Sequence, residues 1–261
     1  MKGKKMRKAI LSVSYGSTDK AQIESTIGRV ESLYRREFPG FEVFRAFTSR
    51  HVISSLAKSG VRVDDVGEAL ERLQNTGYDE VFIQPTHIIC GGEYDGILAR
   101  AEKMKDRFNC IRVGKPLLNS EDDNEFILDF FERKLAMANR ALVLMGHGSE
   151  HPDNIKYTKL QETAKRLGYN DIFVMTLEAK PSVQDVIPMI REAGYPKILL
   201  TPLLFGAAGH ARRDMAGDQP ESVASVLRSA GFEVECLVKG LGEYDAIAEL
   251  YAKHLRGAIE G

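Results

Sequence analysis

The sequence predicts an α/β protein of two similar (βα)4 halves, each a parallel four-stranded sheet flanked by helices. Short apolar runs typical of buried strands alternate with segments of helical periodicity along the whole chain. The alternation starts again near residue 140. Two stretches, 69–92 and 186–209, also resemble each other in the spacing of their glycine, tyrosine and proline residues.

In the first half, the predicted helices have apolar stripes, and two of them have capping signals. Aspartates open the helix that Gly77 closes, and Ser120 with Asp123 resembles a capping box at the start of the last helix. The predicted strands are 8–13, 41–46, 80–84 and 111–113, and the predicted helices are 19–38, 51–58, 64–75, 92–107 and 120–138.

The second half repeats this order. Pro188 lies inside one helical segment and predicts a kink or an early end there. The restart of the pattern predicts domains 1–138 and 139–261. The predicted strands are 142–145, 172–177, 198–204 and 233–238, and the predicted helices are 154–167, 181–193, 221–230 and 243–258.

The internal repeat compares the two halves position by position. Helices that end in glycine produce some likeness between any two βα units, but the common spacing favours two related halves with a binding cleft between them. The matched pairs are Gly77 with Gly194, Tyr78 with Tyr195, Pro85 with Pro202, Gly92 with Gly209, Glu93 with His210, and Tyr15 with His147.

Composition excludes several classes of partner and compartment. The 36 basic and 37 acidic residues leave no basic excess for binding nucleic acid. The basic N-terminus leads into an apolar run too short for a signal peptide, and no later run could span a membrane. The 3 cysteines are widely spaced, which predicts a reducing cytoplasm rather than a disulfide framework.

Three successive strands of the second half end at a potential metal ligand. These ligands are His147 in Gly-His-Gly-Ser, Glu178 after DIFVMTL, and His210 after KILLTPLLFGAAG. Ligands of open α/β sheets bind beyond the carboxyl ends of the strands. Two imidazoles and one carboxylate suit zinc, cobalt, nickel or ferrous iron with positions left open for exchange. The pattern therefore predicts an open metal site, although each residue alone is more typical of a structural or solvated role.

Other residues at strand ends are weaker candidates for contacting a substrate. For His87 and Glu93, a structural role is about as good an interpretation as contact with a substrate. For Arg45 or Arg212 taken singly, an ordinary solvated charge is a better interpretation. No phosphate-binding GxxxxGK[ST] loop, dinucleotide GxGxxG pattern or nucleophile elbow is present. The candidates are Tyr15, His87, Glu93, Arg45 and Arg212.

With these residues the chain resembles the small, ATP-independent class II tetrapyrrole chelatases, and most closely the anaerobic sirohydrochlorin cobaltochelatases of the CbiK type. The resemblance covers essentially the whole chain, with one small departure where Ala-Gly precedes His210 and an acidic residue often precedes the family's histidine. The motifs are KAILSVSYGS, FRAFTSRHVISSL, FIQPTHIICGGEYDGI, GKPLLNS, VLMGHGSEHP, LTPLLFGAAGHARRDMAGD and GLGE.

The resemblance implies two Rossmann-like halves with the site in the cleft between them, and metal held by His147, Glu178 and His210. It implies a cytoplasmic lyase of cobalamin biosynthesis that inserts Co2+, its substrate ion, into sirohydrochlorin, with His147 as the acceptor of a pyrrole proton and Glu178 as a second catalytic residue that can relay a proton. No organic cofactor, nucleic acid or membrane is implied, and exposed apolar helix faces are compatible with a homo-oligomer. Three alternatives remain: an iron or nickel chelatase, a non-catalytic carrier of tetrapyrrole or metal, and a metal-dependent hydrolase.

Overall fold

The protein folds into two compact α/β units. The computed structural model describes residues 6–207 and 209–261, with His210 described by its backbone alone. Unit 1 comprises residues 1–117 and 245–261, and unit 2 comprises residues 118–244. No helix in the described residues is long and apolar enough to cross a membrane.

Unit 1 contains a parallel sheet in the order β2-β1-β3-β4. Its core lies between strands and helices and includes Leu11, Val13, Leu70 and Ile83, all buried. The elements are β1 Lys8–Ser14, α1 Lys20–Ser25, α2 Ile27–Glu37, β2 Glu42–Phe47, α3 Arg50–Lys58, α4 Val66–Asn75, β3 Glu80–Pro85, α5 Gly92–Met104, β4 Cys110–Val113 and, from the end of the chain, α10 Asp245–Glu260.

The helix predicted for 19–38 is divided in two at Thr26. Asp19 caps α1 by accepting a hydrogen bond from the Gln22 N–H, and the Thr26 hydroxyl donates to the Gln22 carbonyl oxygen at 2.6 Å. Local bonds of this kind compete with regular helix hydrogen bonding. The apolar periodicity continues across the break, which is why the pattern alone predicts one helix.

Unit 2 contains a parallel sheet in the order β6-β5-β7-β8. Its core includes Val143, Met145, Met175 and Leu200, all buried. The elements are α6 Glu121–Leu135, β5 Arg140–Gly146, α7 Ile155–Leu167, β6 Ile172–Thr176, α8 Val183–Glu192, β7 Lys197–Pro202, a π-helical turn His210–Met215, α9 Val223–Ser229 and β8 Glu233–Cys236. The capping box predicted at Ser120 and Asp123 is present. α8 continues past Pro188 to Glu192, so the early end predicted there does not occur.

The predicted internal repeat is visible in the hydrogen bonds at the ends of the central strands. Both sheets have the same strand order, which confirms two similar α/β halves. Gly16 and Gly148 both have left-handed backbones, with φ of 100° and 87°. Three backbone hydrogen bonds of unit 1 have an equivalent in unit 2. The bond from Thr48 N–H to Ser14 O corresponds to the bond from Leu177 N–H to Gly146 O, and the bond from Ser49 N–H to Tyr15 O corresponds to the bond from Glu178 N–H to His147 O. The bond from Thr86 N–H to Val13 O corresponds to the bond from Leu203 N–H to Met145 O.

The units divide the chain at other places than the predicted domains 1–138 and 139–261. Helix α6 precedes the second sheet in the chain but packs against α7, so it belongs to unit 2. Helix α10 follows the second sheet but packs against α2, β3 and β4, so it belongs to unit 1. The apolar pattern shows where helices are, whereas the choice of packing partner depends on tertiary contacts.

Candidate metal centre

His147 lies in the loop after β5, at the carboxyl end of a central strand. The strand is buried from its second residue onward and ends at Gly146. A Cβ atom on Gly146 would lie 2.3 Å from Cε1 of the buried Tyr157 ring, so only glycine fits there. Strands β5 and β7 lie side by side, and the chain continues from β5 to β6 on one side and from β7 to β8 on the other. Ligands of open α/β sheets bind at the carboxyl ends of two adjacent strands whose connections diverge in this way.

Glu178 lies in the loop after β6, next to His147. Its backbone N–H donates to the His147 carbonyl oxygen at 2.8 Å, and its Oε2 lies 3.6 Å from His147 Nδ1. The two side chains are 41% and 55% exposed, so a ligand in solution can reach both. The structure thus brings together two of the three predicted metal ligands.

The hydrogen bonding of His147 indicates which ring nitrogen carries the lone pair that a metal ligand requires. Nδ1 lies 3.0 Å from the Gly148 carbonyl oxygen, a bond that requires the proton to be on Nδ1. In the neutral ring the lone pair is then on Nε2. Metal-binding histidines commonly donate their other ring N–H to a carbonyl or carboxylate in this way.

His210 is the third predicted ligand, and its side chain lies outside the described part of the structure. Its backbone begins the π-helical turn His210–Met215, which follows β7 after a short loop. Short π-helical segments occur frequently at functional sites. Among the side chains that the structure describes, no group of three or more histidine, cysteine, aspartate or glutamate residues is arranged to hold a metal ion.

Two residues that support the His147 loop were not predicted from the sequence. The buried Tyr157 ring packs against Gly146, directly before His147; burial raises the pKa of Tyr157 to about 12, and the backbone of Gly148 and His147 partly offsets the rise. The Asn154 side chain accepts a bond from the Ser149 N–H and donates one to the Lys180 carbonyl oxygen. The available signal was the position of both residues at the start of the helix that follows the His147 loop.

In unit 1, Tyr15 lies at a strand end and Glu93 at the start of a helix, and both are accessible. Tyr15 follows β1 and is 56% exposed, an unusual exposure for a large aromatic side chain. Glu93 lies in the first turn of α5 and lines a cavity of about 440 Å³ together with Ser49, Arg50 and Arg100. Both positions are open to a ligand.

His87 follows β3 but is turned into the protein. Both ring nitrogens are buried, and neither has a hydrogen-bond partner among the described residues. Burial lowers the pKa of His87 to about 4, so the ring is neutral at pH 7. This environment argues against His87 as a group that binds a substrate carboxylate through charge.

The two predicted arginines have different environments. Arg45, on β2, makes two hydrogen bonds to Glu31, with Nε to Oε1 at 2.6 Å and Nη2 to Oε2 at 2.8 Å. This bidentate pairing commits Arg45 to a structural role and argues against a contact with substrate. Arg212 lies in the π-helical turn and is exposed, near the backbone of His210.

The fold is that of known chelatases. The chelatase SirB from Bacillus subtilis, solved with Fe3+, superposes with a TM-score of 0.67. The alignment covers 97% of this chain and 96% of SirB, at 18% sequence identity. At this identity the likeness establishes the architecture.

Sequence comparison then establishes the family. The sequence model of the cobalt chelatase (CbiK) family matches residues 8–260, so the chain belongs to that family. The sirohydrochlorin cobaltochelatase CbiKC of Nitratidesulfovibrio vulgaris is 32% identical, with 97% of this chain and 91% of the relative covered. The sirohydrochlorin cobaltochelatase of Salmonella typhimurium is also 32% identical, with 97% of each chain covered.

Proposed function

We propose that this protein is a sirohydrochlorin cobaltochelatase, an ATP-independent lyase that inserts Co2+ into sirohydrochlorin in the anaerobic route to cobalamin. The observation that carries the proposal is the adjacency of His147 and Glu178 at the carboxyl edge of unit 2. Membership of the cobalt chelatase family and the names of two nearly full-length relatives support it.

Insertion requires that the ion lose water, that it pass to the macrocycle, and that two pyrrole protons leave. We propose that His147, Glu178 and His210 bind Co2+, the substrate ion. Nitrogen and carboxylate ligands suit Co2+ and, with open positions, allow the ion to be passed on. The exposed residues Tyr15, in unit 1, and Arg212, in unit 2, are candidates for contacts with the flat face and the carboxylates of the macrocycle.

Release of the ion and uptake of a pyrrole proton by His147 occur in a fixed order, because both involve the same ring nitrogen. With Nδ1–H donating to the Gly148 carbonyl oxygen, only Nε2 of His147 has a lone pair. The same lone pair cannot hold Co2+ and a proton at once. His147 therefore accepts one pyrrole proton only after the ion has left it for the macrocycle, and Glu178, released from the ion at the same time, takes the other and relays it to solvent.

The test is the absorbance change on anaerobic mixing of the protein with sirohydrochlorin and Co2+, with the uncatalysed rate subtracted. The wild type should accelerate insertion, and His147→Ala should lose at least ~100-fold of this acceleration because a general base contributes that much. Parallel runs with Fe2+ and Ni2+ rank the metals. Binding of the macrocycle without any acceleration would exclude the enzyme and indicate a carrier.

A further inference from the structure

The loops that carry His147 and Glu178 are joined at a second place, by the side chain of Asn154. Asn154 Oδ1 accepts a hydrogen bond from the Ser149 N–H at 3.0 Å, and Nδ2 donates to the Lys180 carbonyl oxygen at 2.7 Å. Ser149 follows His147 in one loop, and Lys180 follows Glu178 in the other. A single amide therefore spans both loops just beyond the proposed ligands.

The loops are also in close contact beside the ligands. The Glu178 N–H donates to the His147 carbonyl oxygen, and a Cβ atom on Gly148 would lie 2.8 Å from the backbone nitrogen of Ala179. With the backbone bond on one side and Asn154 on the other, neither loop can shift without breaking a hydrogen bond. The distance between the two side chains depends on both connections.

The chemistry at position 154 requires an amide. The Ser149 N–H needs an acceptor and the Lys180 carbonyl oxygen needs a donor, and asparagine supplies both in one planar group. Aspartate has nearly the same shape but no donor when ionised. It would place a negative oxygen against the Lys180 carbonyl and so push the Glu178 loop away from the His147 loop.

We propose that Asn154 is a positioning residue that sets the spacing of His147 and Glu178 and thereby the affinity of the site for Co2+. This inference rests on the proposed function, because it takes these two residues as ligands of the metal substrate. Groups that orient the ligands from outside the coordination sphere contribute about 10- to 100-fold to metal affinity. Asn154 acts on both ligands at once through the backbone of their loops.

The experiment measures Co2+ binding to the apoprotein by calorimetry and by the visible absorbance of bound Co2+, without tetrapyrrole. Asn154→Asp should weaken Co2+ binding by about tenfold. Asn170→Asp is the matched control, since Asn170 is exposed in the same unit and the substitution adds the same charge. Its Co2+ affinity should equal that of the wild type. Asn154→Ala removes both hydrogen bonds without adding charge, and its affinity for Co2+ should be lowered as in Asn154→Asp.

A second readout separates positioning from general destabilisation. In the insertion assay, Asn154→Asp should raise the KM for Co2+ and leave the KM for sirohydrochlorin unchanged. Equal Co2+ affinity in wild type and both Asn154 variants overturns the inference while leaving the proposed function intact. A wild type that binds no Co2+ overturns the metal site itself and this inference with it. If Asn154→Ala does not fold, the nearly isosteric Asn154→Asp carries the test.

Discussion

The backbone N–H of Glu178 donates a 2.8 Å hydrogen bond to the carbonyl oxygen of His147. In unit 1 the Ser49 N–H donates an equivalent bond, 3.2 Å long, to the carbonyl oxygen of Tyr15. The same backbone arrangement thus presents histidine and glutamate in one unit and tyrosine and serine in the other. The metal-binding chemistry proposed for unit 2 is a property of the side chains placed on a backbone that occurs twice.

Glu178→Gln should weaken Co2+ binding by more than ~10-fold, because loss of a ligand costs at least as much as loss of a group that orients one. The substitution keeps the size of the side chain and removes its charge. Calorimetry with Co2+ measures the change. Glu150→Gln, in the exposed part of the His147 loop, is the control and should bind as the wild type. Unchanged affinity in Glu178→Gln would remove Glu178 from the site.

Gly146→Ala should destabilise the protein by about 1–3 kcal/mol, the usual cost of overpacking a core. The added methyl group would meet the Tyr157 ring at 2.3 Å. Gly257→Ala, on α10 with nothing within 4 Å of the added Cβ, should instead stabilise by about 0.5–1 kcal/mol. Urea unfolding compares the two. Equal stability of Gly146→Ala and wild type would show that the ring can move aside.

Arg45→Met should lower the free energy of unfolding by about 1–3 kcal/mol, because it removes two hydrogen bonds to the charged Glu31 carboxylate and leaves it only the longer contact with Arg35. The Glu31 side chain is only 4% exposed. The double variant Arg45→Met with Glu31→Met should recover most of the loss, as measured by urea unfolding. The KM for sirohydrochlorin of the folded Arg45→Met protein should be unchanged. A raised KM would instead place Arg45 at the substrate.

His87 should make the protein less stable in mild acid. Burial lowers its pKa in the folded chain to about 4 from the ordinary 6.5. Between these values the unfolded chain binds the proton and the folded chain does not, so stability is fully present above pH 6.5 and falls as the pH drops toward 4. The loss approaches about 3 kcal/mol.

The measurement for His87 is urea unfolding at a series of pH values. His87→Leu introduces the residue found at the matching position of unit 2, Leu204. This variant should be less sensitive to acid than the wild type between pH 6.5 and 4 by the amount that His87 contributes. Identical pH profiles for variant and wild type would show that His87 binds a proton as readily in the folded chain as in the unfolded chain.

The fold class could be predicted from sequence because its signals are local. Buried parallel strands are continuous apolar runs, as in Leu142–Met145, and helices have a periodic apolar stripe. The strand ends could be predicted for the same reason, and they bring His147 and Glu178 to one edge of a sheet by topology alone. The matched spacing of the repeat also predicted two similar halves, and the two sheets have the same strand order.

The burial of individual side chains and their hydrogen-bond partners could not be predicted from the same patterns. Arg45 and Arg212 are both arginines near strand ends, yet one is held by Glu31 and the other is exposed. His87 and His147 both follow a central strand, yet one ring is buried and the other is accessible. These differences arise from residues distant in sequence that pack around each position.

The sequence by itself therefore determined the two α/β units, the sheet edge at which the candidate ligands His147 and Glu178 lie and the residue types available there, since strand and helix formation depends on neighbours along the chain. Only the tertiary structure decided which helix completes each unit, that Arg45 pairs with Glu31, and that Asn154 joins the two ligand loops. The physical reason is that hydrogen bonds and ion pairs act over a few ångströms between groups whose separation in sequence has no fixed relation to their distance in space.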